Sequence, residues 1–302
     1  MPITPKQLEW RKQHIGSSDM AAILNEDPFR TAWDVWAEKT GKLVEDRQVT
    51  SAVQERGNYM EGALLNWFAD TTGKQIVRNQ PRSAKKRGLP FAVNLDAEIP
   101  KEPAIVEAKS QGLWSNEVWG TPGTDEMPNR VLIQCQFQMT VALSPVAYIP
   151  AYLPGREFCL YVMEFNKDLD QIIMEAGVEF WQNNVLKDIP PEHSLPSERI
   201  YRRFVRTAKK FTTLPKGLIC AYDEAGLFVN EAEARKEQAK AAIMAHLLDA
   251  EEGIEEETGR RITNFEYSRR GFDTKQFQAD HPELAAQYEK ATRYRSFKFP
   301  KK

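Results

Sequence analysis

Two short apolar segments alternating with charge constrain the fold most: Pro90 to Ile99 (PFAVNLDAEI) and Ala104 to Ser110 (AIVEAKS), joined through the turn residues Pro100 to Pro103. Such patterning between turn residues predicts a β-hairpin. Side chains two apart on a strand leave by the same face, so Glu107 and Lys109 project together while Ile105, Val106 and Ala108 supply the apolar frame. Asp96, near the end of the preceding strand, can meet Glu107 across the hairpin. Two carboxylates and an ammonium on one edge are costly to bury without compensation. A divalent cation compensates them. Magnesium prefers one or two carboxylates with water and phosphate oxygens, and the Ala108 carbonyl is a further candidate ligand. The chemistry such a centre supports is water activation beside a scissile phosphate, with Lys109 positioning or deprotonating the water or stabilising the transition state. The competing reading is a surface hairpin with an ordinary Glu–Lys pair, because E-x-K is common by chance. Asp96 on the neighbouring strand and Glu61 on a preceding helix weigh against it.

The rest of the chain predicts a mixed α/β core. Thr31 is placed to cap a helix carrying Trp33, Val35 and Trp36, stopped at Gly41. A second helix carries Tyr59, Met60, Ala63, Leu64, Trp67 and Phe68 at helical spacing, with Gly73 at its end and Glu61 beside the apolar stripe. A helix over about Arg130 to Leu143 follows the hairpin. Strands are predicted near Val146 to Leu153 and Arg156 to Phe165, turned at Pro154-Gly155, and then a helix from about Asp168 to Leu186. Pro190-Pro191 and Pro196 mark a boundary, dividing a domain over 1–190 from an extension over 191–302. In the extension, Arg199 to Lys210 holds six basic residues and no acid; Glu231 to Glu257, predicted helical, holds nine acids against three bases; Thr258 to Lys302 holds eleven bases against five acids. Asp280 is placed to cap a short helix, and Tyr294 to Phe299 reads as a closing strand.

The net charge of -2 excludes a polybasic, histone-like binder while permitting a local basic groove. The longest apolar runs fall short of the roughly 20 residues of a membrane span, and the N-terminus lacks a signal-peptide core. Cys135, Cys159 and Cys220 fit neither a disulfide framework nor a metal cluster. These features predict a soluble, intracellular protein.

Glu61 on a helix, then LDAEI, VEAKS and the helix LIQCQFQM, resemble in this order the core of PD-(D/E)XK nucleases, and more closely the YqaJ-like viral recombinases of the lambda exonuclease group. The segment WRKQHIGSSDMAAILNEDPFRTAWDVWAEKTGK is similar to that family's opening Arg, its IGGSD turn and its helix ending in EKTG. The resemblance spans about residues 8 to 190. Leu95 before Asp96 departs from the strict PD pair. The resemblance implies a restriction-endonuclease-like α/β (α+β) core, a central mixed β-sheet flanked by helices, with a C-terminal α/β extension. It implies Asp96 and Glu107 as metal ligands, Glu61 completing the site, Lys109 as the catalytic lysine, and Gln134 as the glutamine that orients lysine and water. Gln138 lies one turn further on the same helix face, with an ordinary core-edge amide as its equal alternative; Gln136 points elsewhere. Arg11 and Ser18 match positions that grip a terminal 5′-phosphate. Gly16 to Asp19 also reads as a plain helix cap, with Asp19 or Ser18 as the capping residue, and His14 as an ordinary surface or packing histidine.

The basic run Arg78, Arg82, Lys85, Lys86, Arg87 and the run containing Arg202 and Arg203 are candidates for tracking DNA phosphates, with solvated faces as the alternative. Trp114 and Trp119 are candidates for stacking on a base at a duplex end, burial in the core being expected for at least one. His281 and the pair Arg293 and Arg295 are weighed equally between DNA contact and packing. The implied activity is a magnesium-dependent 5′→3′ exonuclease on linear double-stranded DNA, with manganese able to substitute, giving 5′-mononucleotides and a 3′ single strand for phage recombination. The family further implies a ring-shaped homotrimer, a single-strand annealing protein as partner, and a phage or prophage origin in the bacterial cytoplasm. The alternatives are an endonuclease on the same core or a DNA-end-binding protein with an impaired site.

Overall fold

The structure is a computed structural model describing residues 5–43, 52–84, 87–112, 118–204, 207 and 209–288. Three short helices come first: α1 (Pro5–Lys12), α2 (Ser17–Ile23) and α3 (Ala32–Lys39). Thr31 starts α3 as expected, its hydroxyl accepting from the Asp34 N–H while the Asp34 carboxylate accepts from the Thr31 N–H, a reciprocal cap. The long α4 (Ala52–Thr72) buries Leu64, Leu65 and Phe68, leaves Tyr59 in solvent, and stops at Gly73 in the left-handed region.

The sheet is built from β1 (Val77–Ser83), β2 (Ala92–Ile99), β3 (Ala104–Val106), β4 (Lys109–Ser110), and, after α5 (Asn129–Ala142), β5 (Val146–Tyr152) and β6 (Phe158–Glu164). Its order is β1-β2-β3-β5-β4, with β6 also on β5. The first three strands run as an antiparallel meander; β3 and β4 lie parallel to β5, and β6 is antiparallel to it. α6 (Lys167–Phe180), capped by the Asn166 side chain, continues into a π turn at Trp181–Val185. Alternation along β3 separates the two faces. Ile105 joins Phe91, Phe137, Ile149 and Tyr161 beneath α2, α5 and α6, whereas Ala104 and Val106 pack with Ala97, Ile99, Leu65 and Phe68 under α4. This is the mixed sheet flanked by helices that the sequence predicts.

Two compact units divide at Met1–Arg206 and Thr207–Lys302, later than the boundary expected at 190. The cause lies in hydrogen bonds back to α3. Thr31 Oγ1 donates to the Leu195 carbonyl (2.8 Å), Ser194 Oγ accepts from Trp33 N–H (3.0 Å), and Asp34 Oδ1 accepts from Ser197 N–H (2.9 Å). The second unit contains α7 (Leu218–Leu247), the hairpin β7 (Glu252–Ile254) and β8 (Arg261–Thr263), α8 (Thr274–Asp280) and α9 (Pro282–Gln287). The acidic helix therefore starts earlier than the sequence suggested and ends ten residues sooner, at Leu247 instead of Glu257. Asp280 ends α8 and caps nothing; Asp273 is the cap of α8, and His281 stands at the cap position of α9. The strand expected at Tyr294 to Phe299 and the Arg293/Arg295 pair lie outside the described residues. No helix among the described residues is long and apolar enough to cross a membrane.

The N-terminal helices are tied together by one buried acid. Asp19 accepts from Lys39 Nζ (2.6 Å), Arg30 (3.0 Å) and the Gly16 N–H (2.9 Å), and Arg30 continues to Glu38 (2.7 Å). Burial alone would raise the Asp19 carboxyl, but Lys39 and Arg30 outweigh it and hold the group well below the usual carboxylate range. A depressed folded pKa adds stability above the unfolded value near 3.8, and that stability is lost as pH falls below it. Asp19→Asn is expected to cost about 3–5 kcal/mol at neutral pH, because it leaves the buried Lys39 ammonium without its carboxylate partner. In urea denaturation the wild type should lose stability between about pH 4 and about pH 2 more steeply than the variant. Equal slopes would show that Asp19 is not held as described.

Candidate active site

Asp96 and Glu107 stand where the sheet loses its regularity. On the β1 side, Arg78 pairs with Ala97 and Gln80 with Leu95, but Asn79 between them takes φ 54° and drops out of the ladder opposite Asp96. Asparagine tolerates that conformation better than most residues. On the other side, β2 pairs with β3 only as far as Ala97 and Val106, and Asp96 Oδ2 then accepts from the Ala108 N–H (3.0 Å). The strand predicted as continuous from Ala104 to Ser110 is interrupted at Glu107 and Ala108, although β3 and β4 share one register on β5. The Glu107 N–H still donates to the Tyr148 carbonyl (3.0 Å). The return bond of a parallel ladder would come from residue 150, which is Pro150 and has no N–H.

Into this gap the predicted side chains converge. Glu107 is 4% exposed. Its Oε1 accepts from Lys109 Nζ (2.6 Å) and Gln134 Nε2 (2.5 Å), and its Oε2 from Gln138 Nε2 (2.7 Å). Lys109 also donates to Gln134 Oε1 (2.8 Å). Burial first, and then the charge of Glu107, pushes the Asp96 carboxyl well above its ordinary range; the same two causes raise Glu61. For Lys109 burial opposes the charge, but Glu107 outweighs burial and raises the ammonium, keeping it protonated. Burial likewise pushes the Cys135 thiol up, which leaves it a neutral neighbour of the cluster.

The donor set suits a hard divalent cation. Asp96, whose ionisation is opposed by burial and by the charge of Glu107, is relieved by a positive ion, and magnesium is typically held by one or two carboxylates with waters completing its shell. Among the described residues no three His, Cys, Asp or Glu side chains form a ready-made metal cage. Glu61, expected to complete the site, thus acts on Asp96 and Glu107 through charge and does not join them in such a group.

The other candidates separate into two groups. Arg11 and Ser18 are exposed on α1 and α2, and neither Ser18 nor Asp19 is the cap: Gly16 is, with the Asp19 carboxylate reaching back to its N–H. Arg78 donates to Asn66 Oδ1 (2.5 Å), and its charge acts on Glu61, so it borders the site. Arg82 forks onto Glu98, Arg203 binds Glu38 (3.1 Å), and Arg87 holds the Thr140 and Val141 carbonyls on α5. These three arginines have partners within the chain. Lys85, Lys86 and Trp114 lie outside the described residues, as does the side chain of Arg202. Trp119 is buried against Tyr161, with ring centroids 5.0 Å apart, and so does not present a stacking face. His14 is buried on Trp10, in the packing role and not at the surface. Asn79 and Pro150 were missed from sequence; a proline inside a predicted strand was the available signal for one of them.

Residues 6–144 match the YqaJ-like viral recombinase domain. The uncharacterized protein YqaJ of Bacillus subtilis (strain 168) is 25% identical over 308 residues, covering 96% of this chain and 92% of that protein. Among solved structures, the alkaline exonuclease LHK-Exo from Laribacter hongkongensis aligns at 14% identity with a TM-score of 0.48, over 62% of this chain and 94% of its own. A phage related exonuclease from Haemophilus somnus 129PT aligns at 13% identity with a TM-score of 0.37, over 58% of this chain and 96% of that one.

Because the Asp96 carboxylate is opposed by burial and by Glu107, Asp96→Asn removes a charge but keeps an acceptor for the Ala108 N–H. In EDTA at neutral pH the variant is expected to be more stable than the wild type by about 1 kcal/mol, within the range of ordinary stabilising substitutions. Thermal melts of both proteins check this; a clear loss of stability would mean that Asp96 is well compensated without a metal.

Proposed function

We propose that this chain, which carries a YqaJ-like viral recombinase domain, is a deoxyribonuclease that hydrolyses phosphodiester bonds with the help of magnesium. The observation that carries this reading is the convergence of Asp96, Glu107, Lys109 and Gln134 at one opening in the sheet. Asp96 and Glu107 would hold the cation, with the Ala108 carbonyl as a further candidate and Glu61 adding negative charge beside them. When bound, such an ion lowers the pKa of water and neutralises charge on a phosphate. The chain's own residues supply the remainder. Lys109 brings a protonated, nearly buried ammonium to the place where a phosphate carries negative charge, a preorganised electrostatic contribution. Gln134 accepts from Lys109 and donates to Glu107, so it fixes both relative to each other. Asp96 is oriented by the Ala108 N–H.

The finer reading is a 5′→3′ exonuclease on linear double-stranded DNA that releases 5′-mononucleotides and leaves a 3′ single strand for homologous recombination. Arg11 and Ser18 support it: both are exposed on the first two helices, where a guanidinium and a hydroxyl suit a terminal 5′-phosphate. A ring-shaped homotrimer would give processivity, manganese would replace magnesium, and a single-strand annealing protein would take the product strand. The setting would be a phage or prophage gene product in the bacterial cytoplasm.

Lys109→Ala is expected to lower cleavage of linear duplex DNA at least a hundredfold while duplex binding stays near the wild-type level. Cleavage at the normal rate would remove Lys109 from the site. In a second comparison, the wild type should digest 5′-phosphorylated ends faster than 5′-hydroxyl ends and leave closed circular DNA intact, and Arg11→Ala should erase the difference between ends. Cutting of the circle would replace the exonuclease by an endonuclease. No cleavage with any divalent metal would replace both by a DNA-end-binding protein.

A further inference from the structure

α5 carries three glutamines, and the structure gives them different work. Gln136 is wholly buried; its Oε1 accepts from the Asn166 N–H (3.0 Å) at the start of α6, away from Glu107, while its Nε2 has no hydrogen-bond partner among the described residues. Gln134 sits between Lys109 and Glu107. Gln138, one turn beyond Gln134 on the same face, donates to the other oxygen of Glu107, Oε2, at 2.7 Å. It is 1% exposed, and its own Oε1 is buried without a hydrogen-bond partner among the described residues.

An acceptor left unmade in the interior costs about 1–3 kcal/mol. A leucine or methionine at this buried position would avoid that cost at similar volume. The amide is therefore worth having for its contact to Glu107 and for whatever donates to its Oε1. Lys109 does not: its hydrogen bonds go to Glu107 Oε1 and Gln134 Oε1. Water is the small donor that a polar, buried position of this kind accommodates. The distribution over Glu107 points the same way. Among the described residues, Oε1 accepts two hydrogen bonds and Oε2 the one from Gln138, which leaves Oε2 lone-pair capacity.

We propose that Gln138 is a positioning residue of the metal site, holding Glu107 Oε2 in the orientation that receives a divalent cation and seating a bound water on its own Oε1. The proposal rests on the reading of Glu107 as a metal ligand. Gln138 itself touches neither metal nor DNA. Outer partners of ligating carboxylates commonly govern metal affinity by tenfold to a hundredfold, and a single amide on the less occupied oxygen is placed to do so.

The test uses the full chain stripped with EDTA and titrated with manganese alone, reading the rise in melting temperature, alongside magnesium-dependent digestion of linear duplex DNA. Wild type, Gln138→Met, Gln138→Ala and Gln136→Met are compared. Gln138→Met is expected to melt in EDTA at or above the wild-type temperature, yet to need about tenfold to a hundredfold more manganese for half its maximal shift. Digestion should require correspondingly more magnesium. Gln138→Ala should show the same loss of metal affinity, and it decides the matter if the methionine variant does not fold. Gln136→Met should change the melting temperature without changing the manganese midpoint. Wild-type manganese affinity in the Gln138 variants overturns the proposal while leaving the nuclease reading standing. A wild type that neither binds manganese nor cuts DNA overturns both.

Discussion

The burial of the Glu107 carboxylate is the constraint around which the first unit is arranged. An isolated carboxylate at this depth would simply stay protonated, since desolvation disfavours the charged form. It is met by one ammonium and two amides, from Lys109 on the next short strand and Gln134 and Gln138 on α5. Those donors reach it only if α5 lies against the sheet with its 134/138 face over β3 and β4. Apolar residues of the same helix, Val131 and Val141 beside the two glutamines and Phe137 on the flank, pack into the core and fix that placement. Core packing and site geometry are thus one arrangement.

The sheet opens at the site because its ladder is broken twice, and each break has a residue-level cause. Asn79 leaves the register opposite Asp96 through a left-handed backbone, and Pro150 withholds a donor opposite Glu107. A regular strand pair would consume the Ala108 N–H in cross-strand bonding. Here that group orients a carboxylate instead. The irregularities sit beside the cluster of acids and not elsewhere on β2 or β5, which is where local departures from regular geometry carry chemistry.

Much of this was legible in the sequence for identifiable reasons. Period-two alternation around LDAEI and VEAKS placed Asp96, Glu107 and Lys109 on adjoining strands, and helical spacing placed Gln134 and Gln138 together. The caps at Thr31 and Gly73 were readable because capping is a local interaction of a few residues. What could not be read was long-range. No local pattern says that Arg82 finds Glu98 or that Arg203 finds Glu38, so each of two basic runs looked like a DNA track where the fold spends one of its members on an ion pair. The domain edge was misplaced for the same reason: prolines at 190 and 191 are strong local punctuation, but Ser194, Leu195 and Ser197 return to α3 through hydrogen bonds of large sequence separation. The interruption at Glu107 depended on Pro150, forty-three residues away in the sequence.

Comparison of the two buried acid clusters separates stability from function. Asp19 has Lys39 and Arg30 within hydrogen-bonding distance, and the balance holds its carboxyl low: more cation than the acid needs, with Glu38 and the Gly16 N–H completing the set. Such a cluster is self-sufficient and asks for no ligand. The Asp96 cluster is the reverse. Three carboxyls, Glu61, Asp96 and Glu107, face one nearly buried lysine, and the carboxyls of Asp96 and Glu61 are pushed up instead of down. Arg78 reaches it only from the exposed rim, where its hydrogen bond goes to Asn66. A fold optimised for stability alone would replace one of these acids or add a second internal cation, because uncompensated buried charge is among the costliest features a protein can carry. The deficit stands against Asp19, a buried acid matched by two cations, and Asp34, a buried acid satisfied by the Thr31 and Ser197 N–H groups. An arrangement short of positive charge at one opening, with its carboxylates already oriented by amides and backbone, is what a site prepared for an added divalent cation requires.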